Sequence, residues 1–89
     1  MIPKFAEITG VTIEELKSRK RTPKIADARA LYYKLRREKS KWVLRRIGED
    51  VNRKPSAVYT GIERITGLIE VGDKAAVAMW EIVKDIEGV

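Results

Sequence analysis

The 89-residue chain contains neither cysteine nor histidine, which excludes a disulfide framework, thiolate or imidazole metal sites and histidine-based catalysis. Nineteen Lys and Arg against thirteen Asp and Glu give a net charge of +6, and no apolar run approaches the ~20 residues of a membrane-spanning helix. One soluble cytoplasmic domain, residues 1–89, with one small core and no cofactor is the expectation.

The N-terminal stretch "MIPKFAEITG" lacks the basic-then-apolar layout of a signal peptide. Pro3 suits the first turn of a helix, with Phe5, Ala6 and Ile8 on its apolar side and Gly10 at its end. "TIEE" then offers a capping box, Thr12 accepting from the amide near Glu15 while Glu15 reaches back, so a second short helix runs to about Ser18. Pro23 and a cluster of charge predict a basic loop over residues 18 to 24, "SRKRTPK".

From Ile25 the apolar positions Ile25, Ala28, Leu31, Tyr32 and Leu35 recur at three and four residues, the buried stripe of a third helix to about Lys39. Arg29, Tyr33 and Arg37 follow one another at four-residue steps on its other side and are expected to form an exposed line. Ser40 is placed to cap a fourth helix with Val43, Leu44, Ile47 and Val51 inward and Arg45 and Arg46 outward. Asn52 to Lys54 make a turn. Pro55 then fits the first turn of a fifth helix whose buried side is Val58, Ile62, Ile65 and Ile69. Gly72 and Asp73 separate and cap a last helix with the stripe Ala76, Trp80, Val83 and Ile86, and Trp42 and Trp80 belong at the core or its edge.

The charge is sided. Between Lys17 and Lys54 lie fifteen basic and four acidic residues, while both flanks are mildly acidic. Such a block is the electrostatic footprint of a polyanion-binding face, although a merely solvated basic surface has the same composition. Helix four, its turn and helix five, about residues 41–67, have the layout of a helix-turn-helix. The first turn of the second helix must enter a groove ~12 Å wide, which favours small side chains there, and Ser56, Ala57, Thr60 and Gly61 are small. Ser and Thr hydroxyls contact phosphates or base edges, and Ala57 suits a thymine methyl. Arg45, Arg46, Arg53 and Lys54 surround the turn, where a purely structural hairpin would mix signs. In the basic loop, Arg19, Lys20 and Arg21 suit phosphates or a narrow minor groove.

From about Phe5 to Ile65 the chain resembles the C-terminal DNA-binding domain of the bacterial replication initiator DnaA. "FAEITGVTIEELKSRKRT" is similar to that family's lead-in helix pair and basic loop, "KIADARALYYKLRRE" to its long helix, "SKWVLRRIGEDVNRK" to its first helix and turn, and "PSAVYTGIERI" to its recognition helix. The resemblance implies an all-α, Trp-repressor-like bundle of five or six helices. It also implies that Arg21 enters a minor groove, that Arg29 and Arg37 face the DNA backbone, and that Ser56 and Ala57 begin the base-reading helix. One departure stands out: where the family has Asp-His-Ser/Thr-Thr, this chain has "KPSA", Lys54 to Ala57, so sequence specificity is expected to have diverged.

Double-stranded DNA is thus the expected partner, within the nucleoid, with no membrane, no small-molecule substrate and no enzymatic activity. No "GxxxxGK[ST]" phosphate loop is present, so the chain is read as a domain of a longer protein or as a stand-alone binder. Two alternatives share these features: the C-terminal domain of a transposase associated with repeated palindromic elements, and a basic protein- or RNA-interaction module, which would want exposed aromatics such as Tyr33 and Tyr59 for stacking.

Overall fold

A computed structural model of the chain describes residues 2–86, which form six helices and no strand: α1 (Ile2–Thr9), α2 (Ile13–Lys17), α3 (Pro23–Glu38), α4 (Leu44–Asp50), α5 (Pro55–Glu70) and α6 (Lys74–Val83). The local signals account for most boundaries. Thr12 Oγ1 accepts from the Glu15 amide and the Glu15 carboxylate accepts from the Thr12 amide, both at 3.0 Å. That amide bond holds the Glu15 carboxyl below the usual carboxylate range. Pro55 starts α5 as expected, and Asp73 caps α6 by accepting from the Ala76 amide. Asp73→Ala is therefore expected to cost about 1 kcal/mol of stability, read as a lower midpoint in urea at unchanged slope.

Two boundaries differ from the sequence reading. Pro23 does not close the loop but opens α3, because a residue without an amide proton loses nothing at a helix start. The residue before α4 is Val43, not Ser40. Ser40 instead finishes the turn after α3, its amide on the Arg36 carbonyl, and Lys41 adopts a left-handed backbone. That turn leaves Val43 at 62% exposure rather than inward.

α3 is the axis of the fold, packed by α2, α4, α5 and α6. Every residue from Ala28 to Leu35 is buried, so the expected exposed line is not there: Arg29 and Tyr33 are inside, and only Arg37 is exposed. The physical reason is coverage. A helix contacted on so many sides has no solvent stripe along its middle. Its buried polar groups must then find partners. Tyr32 packs edge-on against Phe5 with centroids 5.5 Å apart, its hydroxyl donating to Asp50 and accepting from Arg36 at 3.0 Å. Burial pushes that phenol well above its ordinary pKa, which keeps it a donor. Lys34 meets Glu38, Thr66 Oγ1 at 3.2 Å and the face of Trp80. Trp42 and Trp80 sit at the core edge. Among the described residues no helix is long and apolar enough to cross a membrane.

Candidate nucleic-acid interface

α4, the turn 51–54 and α5 form the expected helix-turn-helix, and one residue sets its geometry. The Gly48 carbonyl accepts from the amides of Val51 at 3.1 Å and Arg53 at 2.8 Å, folding the chain back on itself. A Cβ at Gly48 would lie 2.2 Å from the Arg53 carbonyl oxygen. Only glycine permits that approach. Gly61, expected to keep the first turns of α5 small for a groove, faces the other way: a Cβ there would stand 2.8 Å from the Tyr33 ring. It is the point where α5 closes on α3.

That close approach leaves two adjoining open clefts on one side of the molecule. The larger, about 570 Å³, lies between α3 and the N-terminal half of α5, with Arg21, Arg29, Arg53 and Arg64 on its walls and Ser56, Ala57 and Thr60 along its α5 edge. The smaller, about 370 Å³, lies under the basic loop and the turn, with Arg19, Arg21, Arg53 and Lys54 around Ser56 and Ala57. Among the described residues, six cations line the two clefts and no carboxylate does. A low-lying concavity of one sign focuses its field outward onto an approaching anion. Ser56, Ala57 and Thr60 are exposed on the first turns of α5, the Thr60 hydroxyl donating to the Ser56 carbonyl at 2.9 Å.

The other expected cations divide by what occupies them. Lys20 is exposed on the loop and Arg45 on α4, but neither lines a cleft. Arg37 donates to the Trp42 carbonyl at 2.9 Å, and the Arg46 guanidinium stacks 3.8 Å from the Trp42 ring centroid, as does that of Arg36. These pairings belong to the α3–α4 corner. Arg29 is 6% exposed; its Nε donates to the Leu16 carbonyl at 2.8 Å, and its Nη2 lies within reach of the carbonyls of Glu15, Ser18 and Lys20. Arg53 is half-buried and also reaches Ser18. Burial, then the positive charge of Arg53, pulls the Arg29 pKa down; Tyr33 opposes and Arg21 adds to the fall.

Arg64 went unread in the sequence. It pairs with Asp27 at 2.7 Å and donates to the Ala26 carbonyl. Its position was legible: Ala57, Thr60 and Arg64 follow one another at three and four residues, one face of α5. Residues 2–65 match the family model of the bacterial dnaA protein helix-turn-helix. No curated protein and no solved structure matches the chain.

Proposed function

The chain belongs to the bacterial DnaA helix-turn-helix family, a DNA-binding domain, and from that premise we propose that it grips double-stranded DNA with the basic loop and α5 together. The observation that carries this reading is the pair of adjoining clefts, lined among the described residues by six cations and no carboxylate, that meet at the first turn of α5. Arg19, Lys20, Arg21 and Lys54 supply phosphate contacts, with Arg21 placed for a minor groove; Arg45 extends the phosphate track along α4. Ser56, Ala57 and Thr60 face the base edges. The domain works without catalysis or cofactor, in the nucleoid, alone or as part of a longer protein.

Specificity is a separate matter. Lys54 is the residue before α5 and Pro55 its first, and both are exposed. A cation and a ring without a donor there cannot make the contacts of an acceptor and an imidazole, and each good base contact carries ~1–3 kcal/mol of discrimination. This favours a target other than the initiator's box, including the hairpins recognised by transposase-associated domains. An RNA-stacking role loses support, since Tyr33 is buried and Tyr59, at 56% exposure, lines neither cleft.

Fluorescence anisotropy of the chain against a labelled DnaA-box duplex, a scrambled duplex and a palindromic hairpin tests the reading. Binding to at least one duplex is expected, without strong preference for the box. Arg21→Ala should weaken binding about tenfold, most on A·T-rich flanks, whereas Thr60→Ala should shift sequence preference with less loss of affinity. Failure to bind any of the three would sink the proposal, and an Arg21→Ala variant that binds every sequence like the parent would remove the loop from it.

A further inference from the structure

We propose that Arg29 and Arg53 are positioning residues: together they latch the basic loop to the helix-turn-helix through the carbonyl of Ser18, so that loop and α5 meet a duplex as one rigid unit. This rests on the DNA-binding reading above and changes the part that two of its arginines play.

The loop between α2 and α3 carries Arg19, Lys20 and Arg21, all exposed. Its own bonds are few and local. The Ser18 hydroxyl donates to the Glu15 carbonyl at 2.8 Å and accepts from the Lys20 amide at 3.2 Å. What ties it to the rest of the molecule comes from far along the chain. From α3, Arg29 takes the carbonyls of Ser18 at 3.0 Å and Lys20 at 3.2 Å; from the turn of the helix-turn-helix, Arg53 takes the same Ser18 carbonyl. One loop carbonyl thus accepts from both α3 and the turn before α5. Arg53 also donates to the carbonyls of Val51 and Asn52, so its guanidinium bridges the turn to the loop directly.

An arginine serving as a phosphate contact keeps its guanidinium toward solvent. Arg29 does the opposite, buried with four carbonyl oxygens around its fork and no carboxylate. Carbonyl dipoles offset a buried charge only in part, and Arg21 and Arg53 stand close enough to depress its pKa. The cluster is therefore short of negative charge. A DNA phosphate in the cleft supplies it, and the latch is expected to hold more firmly on DNA than off it.

The planar fork is what spans several carbonyls at once, and lysine lacks it. Arg29→Lys keeps the charge and removes the α3 half of the latch, so it separates the two roles. Two readouts on the whole chain keep the latch and the DNA reading distinguishable: trypsin cleavage after Arg19, Lys20 and Arg21 in the absence of DNA, followed by mass spectrometry, and anisotropy on a labelled duplex. Arg53→Ala, on a half-buried residue, serves as the second variant should Arg29→Lys fail to give a cooperative thermal melt.

Cleavage in the loop is expected to accelerate about tenfold in either variant. Duplex affinity should also fall about tenfold in Arg29→Lys, and on an Arg21→Ala background the same change should add less than about twofold, because a loop that has lost its contact gains nothing from being held. Unchanged cleavage in both variants overturns the latch. Full multiplication of the two binding losses overturns it as well, since that is the behaviour of independent phosphate contacts. Faster cleavage in the variants, with a parent chain that binds no duplex, upholds the latch and rejects the DNA-binding role.

Discussion

Gly48→Ala is expected to lower the thermal midpoint by roughly 10–20 °C, corresponding to about 2–3 kcal/mol for a chain of this size. The added methyl would sit 2.2 Å from the Arg53 carbonyl oxygen and 3.3 Å from Val58 Cγ2. The nearer atom is backbone, held by the return of the chain onto the Gly48 carbonyl, so no side-chain rotation can make room. The turn has to open, and with it goes the placement of Arg53 and of the first turn of α5. DNA affinity should consequently fall even at temperatures where the variant remains folded. Gly67→Ala is the control: it lies exposed in the last turn of α5 with nothing within 4 Å of an added Cβ, and there alanine is expected to stabilise by up to about 0.5–1 kcal/mol through the cost of glycine in a helix. Thermal melts followed by far-ultraviolet circular dichroism check both. A Gly48→Ala variant that melts like the parent would mean that the turn geometry tolerates a side chain and does not set the helix-turn-helix.

Raising monovalent salt from 50 to 200 mM is expected to weaken duplex binding several hundredfold, since about five phosphate contacts at ~0.9 each give a log–log slope near −4.5. The five come from the structure by subtraction. Of the twelve residues expected from the sequence to contact DNA, Arg29 and Arg53 are turned to the Ser18 carbonyl, Arg37 and Arg46 are engaged with Trp42, and three are small residues of α5. Arg19, Lys20, Arg21, Arg45 and Lys54 are exposed and make no salt bridge among the described residues. Lys54→Ala should reduce the slope by close to ~0.9 while leaving sequence preference as it was. Titrations at four or five salt concentrations measure it. A slope nearer −1 would leave only one phosphate contact and reject a grip shared between loop and turn; a slope nearer about −6 would return Arg37 and Arg46 to the contact surface.

Six helices were visible in the sequence because the signals that define them act over three or four residues. Thr12 with Glu15, Asp73 before α6 and Pro55 at the head of α5 are each read from a handful of neighbours, and each sits where that reading put it. Val43 was misread for the same reason. Its spacing to Ile47 is helical, but the left-handed step at Lys41 moves the start of α4 past it, and no local period records such a step. Gly61 was read as small for a groove and is small for Tyr33, which lies on another helix, 28 positions earlier in the chain.

The sequence by itself determined the all-α class, the helix-turn-helix and the sidedness of the charge, since periodicity, caps and composition are properties of short stretches of chain. What the tertiary structure alone decided is which arginines are left for a ligand. Arg29 and Arg37 look equivalent on one helical line, yet α2, the loop and the turn close over the first and leave the second in solvent. Exposure is fixed by neighbours nine or more residues away in the chain, and a guanidinium that must be buried takes whatever carbonyls those neighbours bring.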